Sequence, residues 1–151
     1  MSEIRFNGKE HENAFYTLMQ KFNISPGDDE RVALLYVLTI TEDCRNNILD
    51  CYDPEERHVK LDALQHGWVT GSDARAIRLA FNLFNGAVPT ALLENENKEK
   101  NLYDFKGDFE YDRTELLNST PCSVFSDGSI GIYLIEGLKM RYKSLFGGGD
   151  I

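Results

Sequence analysis

Residues 66–86 read HGWVTGSDARAIRLAFNLFNG, and this stretch holds a whole helix with both of its ends. Thr70, Gly71 and Ser72 supply cap and turn chemistry, Asp73 puts a carboxylate in the first turn, and Asn85-Gly86 stops the chain where a left-handed residue is favoured. Between these ends Ala74, Ile77, Phe81 and Phe84 recur at three and four residues, giving the helix an apolar face built for a core. Arg75, Arg78, Asn82 and Asn85 repeat along a neighbouring face. Either that polar stripe holds the Gly67–Ser72 loop and nearby helix ends by hydrogen bonds, or it lines a site for an anionic partner. The structural reading is favoured, because satisfying helix ends and buried polar groups is a general requirement of folded chains.

Upstream, the same logic gives more helices. Asn7 followed by Glu10 has the spacing of a capping box, and Phe15, Leu18, Met19 and Phe22 share one face, which predicts a helix from about Gly8 to Phe22. Ser25-Pro26-Gly27 breaks the chain, and Asp28, Asp29 and Glu30 put negative charge where the next helix dipole favours it. VALLYVLTI, residues 32–40, is apolar on nearly all sides and reads as a central buried helix, with a buried strand as the alternative. Thr41-Glu42-Asp43 opens a third helix carrying Cys44, Ile48, Cys51 and Tyr52 on one stripe before Asp53-Pro54 stops it. Between Pro54 and Gly67 only a short helical piece at residues 61–65 is expected.

Downstream, residues 88–118 have the composition of an insertion. ENENKEK is polar and of low complexity, and YDFKGDFEYD alternates aromatic with charged residues around Lys106-Gly107, which suits a short hairpin and makes this the one strand region expected. Thr120-Pro121 pairs an N-cap with proline at the first helical position, and Ile130, Leu134, Gly137, Leu138 and Arg141 trace a final helix. The expected architecture is mainly α. It is a single compact helical domain over residues 1–146, of about five or six helices, with an irregular or short β-hairpin insertion at 88–118 and a flexible tail at 147–151.

Composition fits that architecture: the chain has 151 residues, 42% hydrophobic and 27% charged, with nine Phe and seven Tyr, as an ordered single-core domain requires. No window has the apolar length of a membrane span, and the start MSEIRFNGKEHEN lacks the pattern of a signal peptide, so a cytoplasmic location is expected. Cys44, Cys51 and Cys122 make an odd set, read as reduced thiols. The net charge of −9 argues against general nucleic-acid binding, which draws its affinity from Lys and Arg. Acidic against basic residues number 14 to 9 over residues 1–86, 8 to 4 over 87–118 and 3 to 3 over 119–151. The middle segment is therefore the densest acidic stretch. Glu94, Glu96, Glu99, Asp104, Asp108, Glu110 and Asp112 are the candidate contacts for a basic, nucleic-acid-binding protein partner, against the plainer reading of a solvated loop.

Catalytic signatures do not emerge. Cys44, Cys51, His58 and His66 lack the tight pairing of structural zinc sites, and Glu10-His11-Glu12 lacks the second histidine of a zinc protease helix. A Cys51 or Cys122 thiolate paired with His11 needs an electropositive, exposed setting that no local pattern supplies. The sequence contains no phosphate-binding glycine loop and no nucleophile elbow. No catalytic residue, metal ligand or cofactor is assigned. The candidate small-molecule pocket, by residue type, is His11, Trp68, Arg75, Arg78 and Asn82, suited to a nucleotide or phosphate ligand.

Phe6 with Glu10-His11 and Phe15-Tyr16, LLYVLTITEDCRNNI at 34–48, HGWVTG followed by RLAFNLFNG, Thr120-Pro121 and Arg141-Tyr142 together resemble a small uncharacterised domain family. Its members are carried by phages, prophages and conjugative elements of Gram-positive bacteria. Phe84 stands where similar proteins tend to have Trp, and the acidic insertion departs from the usual pattern. The resemblance implies a setting and carries no catalytic residues. In that setting the leading expectation is a non-enzymatic accessory protein that acts by protein binding, such as an anti-CRISPR-type inhibitor of host defence. The alternatives are a nucleotide- or phosphate-binding domain or enzyme at the Trp/Arg/Asn pocket, and a homo-oligomer packed through the Phe and Tyr surplus.

Overall fold

The computed structural model describes residues 3–87, 89 and 121–146. Six α-helices stand among the described residues: α1 (Gly8–Lys21), α2 (Asp29–Leu38), α3 (Glu42–Asn46), α4 (Gly71–Asn85), α5 (Pro121–Val124) and α6 (Gly131–Arg141). Short 3-10 turns lie at Ile48–Asp50, Ala63–Gln65 and Lys143–Phe146, and two strands, β1 (Tyr52–Asp53) and β2 (His58–Val59), form one antiparallel pair. The mainly α architecture expected from the sequence is the observed one.

The apolar run 32–40 is the centre of the molecule. Ala33 to Leu38 and Ile40 are all buried, and α2 packs against α4, α6 and α1. A helix buried on all sides must be apolar all round, which is why this segment has no polar face. Asp28 caps it by accepting the Arg31 N–H. Thr39, also buried, returns its hydroxyl to the Leu35 and Tyr36 carbonyls at 2.8 and 3.0 Å.

The sequence located α4 closely. Thr70 and Asp73 form a reciprocal capping box, and Gly86 closes the helix in the left-handed region at φ 81°. Ile77, Phe81 and Phe84 of the expected stripe are buried, and so are Ala76, Leu79, Ala80 and Leu83 beside them.

Three local expectations need correction. The capping box of α1 does not form: Asn7 makes no side-chain cap, and its amide instead donates to the Ile40 carbonyl at 3.0 Å, tying the helix start to the end of α2. The third helix ends after Asn46, where Asn47 leaves helical geometry at φ −125° and ψ 35° while its side-chain amide and its N–H both donate to the Asp43 carbonyl, at 2.8 and 3.1 Å. Cys44, Ile48, Cys51 and Tyr52 are still all buried. The described strand pair lies at residues 52–59, where no strand was expected. Asp53 accepts the Glu55 and Glu56 N–H groups at 2.9 and 3.1 Å, and Arg57 turns left-handed at φ 62°. The hairpin expected around Lys106-Gly107, the Thr120 cap and the tail 147–151 lie outside the described residues.

Candidate functional site

A groove of about 690 Å3 runs between α1 and α6. Phe15, Tyr16, Met19 and Gln20 of α1 make one wall, and Glu136, Lys139 and Met140 of α6, continued by Lys143 and Phe146, make the other. Ile24, Pro26 and Val32 close one end, near the start of α2. The lining is mainly apolar and includes two methionines, whose unbranched thioethers adapt to different shapes. Its charged groups sit in bonds within the chain: Lys139 with Glu136 at 3.6 Å, and Lys143 with Asp29 at 3.1 Å. Glu136 also accepts the Arg5 N–H at 3.3 Å, which lays the N-terminal segment beside α6.

An aromatic cluster stands next to this groove. Phe6 packs edge-on against His11 at 5.1 Å and lies 5.7 Å from each of the Phe15, Tyr16 and Tyr36 rings. The Tyr36 hydroxyl donates to the Arg5 carbonyl, and burial, with Glu136 nearby, pushes its pKa up, so the phenol stays protonated.

His11 is fully buried in that cluster. Its Nδ1 accepts the Asn7 N–H at 2.9 Å, so in the neutral ring Nε2 carries the proton and donates it to the Tyr36 carbonyl, also at 2.9 Å. Burial lowers the His11 pKa to about 4, against the pull of the Tyr36 carbonyl and with a further push from Arg45. A neutral imidazole with both nitrogens in structural bonds is a strut that joins α1 to α2.

The other members of the candidate pocket have separate partners. Trp68 donates its indole N–H to Asp50 at 2.9 Å and stacks on His66, whose Nδ1 lies 3.6 Å from the same carboxylate. Arg75 donates to the Ser123 carbonyl at 3.1 Å and lies 3.5 Å from Asp127, joining α4 to the α5–α6 region. Arg78 is half-buried on α4, and Asn82 is exposed on the same helix. None of these five residues lines the α1–α6 groove. The acidic candidates, Glu94, Glu96, Glu99, Asp104, Asp108, Glu110 and Asp112, lie outside the described residues.

Cys44 and Cys51 are buried and Cys122 is exposed, all as free thiols. The hydrogen bond with Cys51, together with burial, raises the Cys44 pKa well above the ordinary thiol value, so this sulfur is held as the unreactive thiol. Asp73 is buried beside it: its carboxylate takes the Thr70 N–H and hydroxyl at 2.9 and 3.0 Å, and a hydrogen bond from Asp43 raises the Asp43 pKa. Among the described residues no group of three or more His, Cys, Asp or Glu is placed to hold a metal ion. No helix among them is long and apolar enough to cross a membrane.

The helical spacing places Phe15 and Met19 on the apolar face of α1 and assigns no site role to Tyr16, Gln20, Met140 or Phe146. The groove depends on the spacing between α1 and α6, which no local pattern encodes. The available signal was Leu145-Phe146, an apolar pair beyond the last amphipathic helix.

Neither the curated proteins nor the solved structures contain a match to the chain. A family model does match, over residues 1–147, and is described as a family of unknown function, DUF6075. The match spans nearly the whole sequence, α1 through the 3-10 turn after α6, and the chain belongs to the DUF6075 family.

Proposed function

We propose that this protein acts by binding other proteins. The observation that carries the reading is the apolar groove between α1 and α6. A cleft between two helices, closed at one end by the start of a third, accepts the apolar side chains of a packed partner element. Its charged groups are engaged with one another, which favours recognition by shape and apolar contact over capture of a small charged ligand.

The finer proposal concerns setting and target. The resemblance to proteins of phages and mobile elements of Gram-positive bacteria makes a host-defence effector the target class, with inhibition by occupancy as the action. The acidic stretch from Glu94 to Asp112 supplies charge complementary to a basic nucleic-acid groove.

A pull-down from a bacterial lysate tests both. The baits are the tagged wild type, a Tyr16→Glu/Phe146→Glu variant and a variant with the seven acidic candidates neutralised, each first checked for folding. A stoichiometric protein partner lost with the groove variant supports the binding reading, and loss with the neutralised variant supports the acidic contact. Absence of any protein partner, a second copy of the chain included, contradicts the proposal.

A further inference from the structure

We propose that residues 3–6 are a strap across one end of the α1–α6 groove, an autoinhibitory contact that releases before a partner occupies the groove at full length. The inference rests on the reading of the groove as a protein-binding surface and names the element that controls entry to it.

The strap crosses the cleft from wall to wall. On the α6 side the Arg5 N–H donates to Glu136 at 3.3 Å. On the α1 side the Phe6 ring lies 5.7 Å from the rings of Phe15 and Tyr16. Glu136, Phe15 and Tyr16 all line the groove, and so does Ile4 of the strap itself. From α2 the Tyr36 hydroxyl donates to the Arg5 carbonyl. Ile24, Pro26 and Val32 close the groove beyond the last residue of α1, and the strap covers the end nearer its first.

Its attachment is light. Among the described residues no backbone group of residues 3–6 pairs with another backbone group, and Glu3, Ile4 and Arg5 are exposed. A segment with no backbone ladder and few buried contacts opens locally, at a free energy below that of global unfolding. The opening stops at Asn7, whose N–H is held by His11 at 2.9 Å and whose amide is held by the Ile40 carbonyl at 3.0 Å.

What the strap covers suits a peptide. Release uncovers the rings of Tyr36 and His11, both fully buried against Phe6, and joins them to the groove through Phe15, which touches Phe6 and lines the groove as well. It also frees the Tyr36 hydroxyl to donate to a carbonyl and Glu136 to accept an N–H, the two backbone groups of one residue, beside a seat for an aromatic ring. A partner segment bearing Phe or Tyr meets the same three features that Arg5 and Phe6 now meet. The strap is the groove's internal competitor.

Amide exchange read residue by residue by NMR, and the fluorescence of 8-anilinonaphthalene-1-sulfonate, test this on the full chain. The Arg5 N–H is expected to exchange through an opening insensitive to urea below the unfolding transition, because local opening exposes little surface, whereas the Val37 and Leu38 N–H groups follow global unfolding. Phe6→Ala, with far-ultraviolet circular dichroism unchanged, should raise dye binding roughly threefold or more, and the peptide SEIRFNG should displace the dye from it at a concentration roughly tenfold lower than from the wild type, whose own strap competes. Arg5→Pro, which removes the N–H that Glu136 holds and leaves Phe6 in place, should raise dye binding in the same direction and decides the matter if Phe6→Ala does not fold. Arg5 exchange that shares the urea dependence of Val37 and Leu38 overturns the proposal. So does dye binding unchanged in the folded variants, or a peptide that displaces the dye equally from both chains or from neither. A lysate partner lost with the Tyr16→Glu/Phe146→Glu bait leaves the groove reading standing when the strap fails. No partner with the wild type or with Phe6→Ala ends both.

Discussion

Gly137 of α6 lies directly against Val37 of α2: a Cβ built on the glycine would overlap the valine Cγ2, with Tyr36 Cδ1 at 3.5 Å and Leu83 Cδ1 at 3.9 Å closing the other sides. The missing side chain is what lets α6 approach the central helix. That approach also fixes the position of the α6 wall of the groove.

Gly137→Ala is therefore expected to destabilise the fold. The gain of about 1 kcal/mol in helix propensity is outweighed by overpacking, and a net loss of about 1–2 kcal/mol is expected in urea unfolding. Val37→Ala makes room, so the double variant should be more stable than the sum of the single effects by roughly 1 kcal/mol. A stabilising Gly137→Ala contradicts the close contact.

The His11 strut makes stability depend on pH. Its folded pKa of about 4 lies below the ordinary 6.5, so the unfolded chain takes up a proton that the folded chain refuses. The contribution is fully present above pH 6.5 and is lost as pH falls from there toward 4, on the order of 2–3 kcal/mol in all. Denaturant unfolding across that window should show the decline, and His11→Gln should flatten it. An equal slope in wild type and variant contradicts the assignment.

Asp127 ties the starts of α4 and α6 together. It accepts the Ser72 hydroxyl at 2.6 Å, the Ser129 hydroxyl and N–H at 2.6 and 2.8 Å, and the Ile130 N–H at 3.2 Å. Burial pushes its pKa up, but the Ser129 and Ser72 hydroxyls and the two backbone N–H groups outweigh that and hold it well below the usual carboxylate value. The stabilisation is present above the unfolded carboxylate pKa and fades as pH drops below about 4, separate from the His11 window. Asp127→Ala is expected to cost about 2–3 kcal/mol at neutral pH in thermal or urea unfolding. A change under about 0.5 kcal/mol would remove the clamp from the account.

Thiol accessibility separates the three cysteines. Cys122 is exposed, whereas Cys44 and Cys51 are buried and Cys44 is held protonated. A disulfide reagent added to the native protein should modify one thiol quickly and the other two only after denaturant is added. Rapid reaction at Cys44 or Cys51 in the folded protein would contradict their burial in the core.

What the sequence made legible was the class of each long element. Thr70, Asp73 and Gly86 carry the ends of α4 in their own chemistry, and the unbroken apolar run marks residues 32–40 as central because only an element covered on all sides tolerates it, with the structure deciding helix over strand. What it hid depended on competition or packing. Asn7 has the spacing of a cap, yet its amide finds the Ile40 carbonyl across the fold. The helix stop expected at Asp53-Pro54 falls instead at the turn of the strand pair, which rests on two residues per strand, too few for any alternation to show. His11, Trp68 and Arg75 are pocket candidates by residue type, while each is held by a different structural bond: to Tyr36, to Asp50 and to Ser123.

The central claim is that a protein fills the groove between α1 and α6. Tyr16, 51% exposed at the groove edge, can be replaced by a photo-crosslinking phenylalanine analogue with little disturbance of the core. Irradiated in cells, the analogue at position 16 should form a discrete protein adduct, identifiable by mass spectrometry, that the analogue at the exposed Glu55 of the β1–β2 turn does not form. No adduct at position 16 above that control would contradict the account.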